Sequence, residues 1–254
     1  MSAPPSQILL PLLQRPQPTL ESFVAGPNGE VLAAVRALLA GDHDGELVYL
    51  WGDRASGRSH LLHGLARAAA GDGASPPLDL GQTRSKAASG DGAPPAGVAV
   101  VDAGSIASVW SPSGPVLVVD DVEQLSAPAE VRLFDAINRG RAEGWKMLFA
   151  GPLPPARLAL RGELTSRLAQ GLVLQLQHLS DADKVAAMVD YAARSGFALP
   201  AEVADYLLRH GRRDLGTLLA VVQAIDEVSL RDRRPISVRL AHDVLYSADL
   251  FCPL

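Results

Sequence analysis

Through the first two thirds of the chain, short apolar runs alternate with longer segments of helical period, and helical period alone fills the rest. Leu47-Val48-Tyr49-Leu50-Trp51 reads as a short buried strand. Four apolar residues in a row, from Val116 to Val119, predict a central parallel strand covered on both faces. Runs at 98–101, 145–150 and 171–176 supply further strands. Between them, 30–39 carries an apolar stripe of Val31, Val35, Leu38 and Leu39, with Asn28 placed to cap the helix. The segment after Arg58 carries Leu61, Leu62, Leu65 and Ala69 on one face, and 130–144 predicts a helix burying Val131, Phe134 and Ile137. A short helix is expected at 162–168.

From Ser180 onward only helices are expected. Ser180 and Asp183 have the spacing of a capping box, and Val185, Met188, Val189 and Ala192 form the stripe behind it. Pro200 suits the first turn of a second helix, which Gly211 ends. A third, 214–230, turns Leu215, Leu218, Leu219, Val222 and Ile225 inward, and 237–246 makes a fourth. The pattern predicts an α/β fold with a parallel sheet flanked by helices over 19–178, then a small all-helical domain over 179–254.

Two strand ends carry candidate chemistry. After the 47–51 strand comes Gly52-Asp53-Arg54-Ala55-Ser56-Gly57-Arg58-Ser59, the spacing of a phosphate loop with arginine where lysine normally stands. Gly57 lets the backbone approach a phosphate, and the following helix start offers free N–H groups. Ser59 is placed to hold Mg²⁺. A guanidinium binds phosphate but is planar and bulkier than an ammonium, so nucleotide binding is better supported than fast hydrolysis. The second strand ends in Asp120-Asp121, where Asp120 would hold Mg²⁺ and Asp121 would orient an attacking water. The alternative is a pair of turn carboxylates capping the next helix.

Composition narrows the classes. The 254 residues carry a net charge of −5, which argues against a basic DNA-binding face and sends any contact with DNA through a protein partner. A single cysteine leaves no disulfide framework within the chain. No basic start precedes an apolar run, and no stretch reaches the roughly 18 apolar residues of a membrane span, so a cytoplasmic location is expected. Residues 1–18 read as a disordered tail containing Gln7-Ile8-Leu9-Leu10-Pro11-Leu12, an apolar peptide that either docks in a groove on another protein or packs on its own domain. The stretch 71–97, rich in Gly, Pro, Ala and Ser, reads as a surface insertion.

Together the phrases TLESFVAGPN, LVYLWGDRASGRSHLLHGLA, VLVVDDVEQL, LTSRLAQGLVLQLQHLSDADK and LPAEVADYLLRHGRRDLGTLL resemble the AAA+ ATPases, and more narrowly their DnaA and Hda group. The resemblance spans nearly the whole chain outside the insertion. It implies a nucleotide, ADP or ATP, with Mg²⁺. Phe23, Val24 and Gly26 would lie by the adenine, Gly52, Gly57, Arg58, Ser59 and His60 would form the phosphate end, and Asp120 would be the metal carboxylate. Arg167 matches the arginine finger, and Arg213 the lid arginine that reaches a bound nucleotide. The 7–12 peptide matches one that docks on the replicative sliding clamp. One position departs from the group: where a polar residue usually follows the strand at Phe149, this chain has Ala150-Gly151-Pro152, so intrinsic ATP hydrolysis is expected to be weak or absent.

The resemblance implies a negative regulator of replication initiation. Parked on the DNA-loaded clamp, it would reach with Arg167 toward ATP held by the initiator DnaA and speed its hydrolysis. Homo-oligomers are a further expectation. The rival readings are an autonomous P-loop ATPase and an adaptor that loads helicase through DnaA-like contacts.

Overall fold

The computed structural model describes residues 18–41, 47–70, 108–111 and 114–247. The 7–12 peptide, the 71–97 insertion and the strand expected at 98–101 lie outside the described residues. The chain divides into two compact units, Pro18–His178 and the residues from Leu179 on.

In the first unit, β1 (Leu47–Trp51), β2 (Ser108–Ser111), β3 (Gly114–Val119), β4 (Lys146–Gly151) and β5 (Leu172–Gln175) form one sheet in the order β2-β3-β4-β1-β5. Four strands run parallel, with Leu47 opposite Met147, Val48 opposite Leu172 and Val116 opposite Lys146. β2 pairs antiparallel with β3, Val109 facing Val116. Alternate residues of the inner strands feed two cores. Val48, Leu50, Val116, Val118, Leu148 and Ala150 pack under α1 (Gly29–Ala40) and α2 (Arg58–Ala70). Leu47, Tyr49, Leu117, Val119, Met147 and Phe149 pack under α3 (Ala127–Glu143) and α4 (Gly162–Ala169).

Two local expectations are corrected. α3 begins three residues early, with Pro128 in its first turn, and buries Ala129, Glu130, Leu133, Ile137 and Gly140; Val131 is 41% exposed and Phe134 half-buried. Asn28 precedes α1 without capping it. Its buried amide instead donates to the Gln177 carbonyl at 2.9 Å and accepts the Gln177 N–H at 2.7 Å.

The second unit holds α5 (Asp181–Arg194), α6 (Ala201–His210), α7 (Leu215–Asp232) and α8 (Val238–Ser247) around Met188, Val203, Leu207, Leu218, Val222, Ile225, Leu240 and Val244. The capping box at α5 is present: Ser180 Oγ accepts the Asp183 N–H, and the Asp183 carboxylate accepts the Ser180 N–H at 3.0 Å. Val189, expected inward, is 38% exposed.

Candidate functional site

β1 ends inside the sheet, so Gly52–Ser59 leaves from a fixed base. Gly52 has no room for a side chain, since a Cβ there would lie 2.6 Å from the Leu176 carbonyl and 3.0 Å from Ser56 Oγ. The loop then turns twice through the left-handed region, at Ala55 (φ 64°) and Gly57 (φ 103°). A non-glycine residue held there stores strain, as loops shaped around a ligand do. The ring of Phe23 closes on Gly57 from the other side, 2.9 Å from where its Cβ would be.

Two polar atoms in this cradle, Ser56 Oγ and Arg58 Nη1, are buried without a hydrogen-bond partner among the described residues. Such orphans are costly unless something else satisfies them. One is a hydroxyl and the other belongs to a cation, and both residues lie where the loop meets the N-terminus of α2. The residues fit a phosphate group.

Arg58 Nη2 lies 3.5 Å from the Asp121 carboxylate, with the guanidinium side chain only 10% exposed. Asp121 sits at φ 45°, just past the end of β3. Its neighbour Asp120 accepts a hydrogen bond from Ser59 Oγ at 2.5 Å. A hydroxyl and a carboxylate are the hard oxygen donors Mg²⁺ takes, so this pair fits the metal expected with a nucleotide. Burial, with the charges of Asp121 and Asp120 beside it, pushes the Glu123 carboxyl up.

His60 turns away from the loop. Its Nε2 faces the Thr19 carbonyl at 3.0 Å and Ser22 Oγ at 3.1 Å, and its ring tilts against Phe23 with centroids 5.6 Å apart. A carbonyl only accepts, so Nε2 carries the proton. Burial holds His60 below the ordinary imidazole value, and also His63, where Asp120 pulls the other way. His60 thus fastens the turn that carries Phe23 and the half-buried Val24, and Gly26 follows in a left-handed conformation (φ 47°).

At the end of β4 the missing polar group has a physical account. A Cβ on Gly151 would lie 2.3 Å from the Tyr49 hydroxyl, which donates to the Leu153 carbonyl at 2.8 Å. The tyrosine fills the volume a side chain would need, and burial pushes its phenol well above the usual range.

Arg167 and Arg213 each have neighbours of their own. Arg167, half-buried on α4, lies over the Phe134 ring at 5.6 Å and donates to Gln170 Oε1 at 3.3 Å. Arg213 belongs to the second unit, is exposed, and pairs with Asp181 at 3.1 Å. Sequence reasoning missed Ser56, which fills one of the motif's variable positions, and Tyr49, whose role depends on a glycine one hundred residues away. It also missed His178, which reaches Asp53 of the loop at 3.4 Å.

Comparison with known proteins follows the same division. Residues 181–245 match the family model described as Hda, lid domain. Domain III of the Thermotoga maritima replication initiation protein DnaA superposes with a TM-score of 0.66 at 17% identity, over 94% of this chain and 98% of that one. AMPPCP-bound DnaA from Aquifex aeolicus gives 0.58 at 18% identity, over 86% and 68%. A Thermotoga maritima RuvB variant gives 0.57 at 13% identity, over 92% and 74%. At these identities the solved structures establish the fold alone, a sheet of four parallel strands and one antiparallel strand with flanking helices, followed by a helical unit.

Proposed function

We propose that this chain, an Hda-like and DnaA-related AAA+ protein, holds a nucleotide without turning it over and lends Arg167 to hydrolysis of ATP bound by the replication initiator DnaA. The observation that carries the reading is the contrast between its own site and its surface. In the site, Asp121 is engaged by Arg58, and the volume after β4 is filled by Tyr49. On the surface, Arg167 rests on an aromatic ring and makes no ion pair with a described residue.

The residues that would hold the nucleotide are Gly52, Ser56, Gly57, Arg58 and Ser59 at the phosphates and Phe23, Val24 and Gly26 at the base, with Ser59 and Asp120 for Mg²⁺. AMPPCP-bound DnaA shares the fold, which supports this assignment. When bound, the nucleotide supplies a polyanion that satisfies the loop's buried donors. Asp121, neutralised by a guanidinium, is a poor group for orienting water, so the site retains its ligand. Arg213 is the further cation proposed to reach that nucleotide.

Catalysis is proposed to take place in the partner. As the terminal phosphate of DnaA-bound ATP departs, negative charge spreads over its oxygens, and Arg167 placed against them stabilises that charge. Such fingers are worth about 10³–10⁵ in rate. The product is DnaA with ADP, which ends initiation. The peptide Gln7-Ile8-Leu9-Leu10-Pro11-Leu12 would keep the protein on the sliding clamp, raising its concentration beside DnaA on the same DNA.

The test mixes this protein with ATP-loaded DnaA, clamp and DNA and follows ADP formation. Arg167→Ala is expected to remove the stimulated rate while leaving nucleotide binding by this chain intact. Undiminished hydrolysis with Arg167→Ala rejects the finger.

A further inference from the structure

Gln170, exposed at the C-terminal end of α4, accepts two guanidinium hydrogen bonds on one atom. Arg141 Nη1 donates to its Oε1 at 2.5 Å, and Arg167 Nη1 donates to the same Oε1 at 3.3 Å. The two nitrogens therefore lie within about 6 Å of each other, close enough for like charges to repel. Neither arginine has an ion-pair partner among the described residues.

Arg139, on the same helix as Arg141, shows what a structural arginine looks like in this chain. It lies over the Trp145 ring at 5.4 Å and is neutralised by Glu143 at 2.7 Å. Arg167 has the aromatic platform without the carboxylate. Arg141 and Arg167 are both half-buried, so part of their hydration is already lost. A neutral amide oxygen is a weak acceptor for two cations. The convergence suits an oxygen that carries negative charge, and guanidinium pairs favour phosphate in that position.

We propose that Arg141 and Arg167 form one anion site, filled at rest by Gln170 Oε1, whose ligand is the terminal phosphate of a nucleoside triphosphate held by a neighbouring subunit. The inference rests on the reading of Arg167 as a finger in trans and adds Arg141 as a second cation on the same phosphate. Gln170 yields its place when the phosphate arrives and resumes it afterwards. A partner left with a diphosphate offers the pair no terminal phosphate, so the contact lapses once hydrolysis is complete.

The full-length chain is titrated into ATP-loaded DnaA with clamp and DNA, and the maximal rate of ADP formation is separated from the concentration giving half of it. Arg141→Ala is expected to lower the maximal rate by about tenfold to a hundredfold, the scale of losing one preorganised donor to a developing oxyanion. Arg141→Lys is expected to fall between. Gln170→Glu gives both arginines an intramolecular carboxylate, so its melting temperature is expected to hold or rise while stimulation falls toward the Arg167→Ala level. A merely structural bridge predicts full stimulation from Gln170→Glu, and this readout serves even if Arg141→Ala fails to fold. Wild-type rates from Arg141→Ala and Gln170→Glu, alongside loss with Arg167→Ala, overturn the two-arginine site and leave the finger standing. No stimulation by the unaltered chain, or stimulation that survives Arg167→Ala, removes the finger and this inference with it.

Discussion

His60 shows how one side chain sets both an anchor and a pH limit. Its imidazole and that of His63 are held below the ordinary value of 6.5 by burial. As pH falls through that value the unfolded chain takes up two protons that the folded chain resists. The unfolded state then binds more protons, so stability is present above about pH 6.5 and is lost below it. His60→Gln keeps an N–H for the Thr19 carbonyl and has no charge to gain. Its urea midpoint is expected to fall less between about pH 7.5 and 5.5 than that of the unaltered chain; an identical fall would assign the effect to other groups. Gly151 offers a second residue-scale test. Gly151→Asn would restore a polar group at the end of β4 but strike the Tyr49 hydroxyl, at an expected cost of about 1–3 kcal/mol in urea unfolding and with no ATP turnover gained. Adding Tyr49→Phe is expected to recover part of that loss. The glycine loop and the paired aspartates were readable because spacing carries them. That Arg58 would claim Asp121, or that Tyr49 would occupy the space beside Gly151, depends on strands brought together only by folding.

Among the elements, periodicity performed best where one core decides the face. The capping box at α5 and the four helices of the second unit follow from local pattern. α3 did not, because apolar identity favours Val131 and Phe134, whereas the helix starts earlier and buries Leu133 with Glu130 beside it. That buried carboxylate accepts the Arg161 N–H at 2.7 Å, a partner no helical repeat announces. β2 escaped notice for a related reason: Ser108–Ser111 is short and half polar, and only its pairing with β3 makes it a strand. Asn28 separates the two kinds of information. A helix cap predicts a loss of about 1 kcal/mol for Asn28→Ala and nothing for Asn28→Asp. The observed clamp on Gln177 predicts about 2 kcal/mol for alanine, because two hydrogen bonds to the Gln177 backbone are lost together. Aspartate keeps only the acceptor and is expected to lose a substantial share of that stability. Urea unfolding of the two variants decides between them.

At the scale of the molecule, fold and proposed partnership rest on different parts of the chain. The described sheet and helices lie within residues 18–247, whereas the clamp tether is proposed to lie within residues 1–14. Deleting those residues is expected to leave the urea midpoint unchanged and abolish retention on immobilised clamp; retention by the shortened protein would move the contact elsewhere. No helix among the described residues is long and apolar enough to cross a membrane. The contact between the Phe23 ring and Gly57 has a wider bearing on how such a chain can diverge. A substituent on the loop would evict the ring, and a smaller group at the ring's position would leave the loop uncovered. The two ends of the proposed ligand site must then mutate in concert, so their effects on ligand preference would be inherited as a single trait.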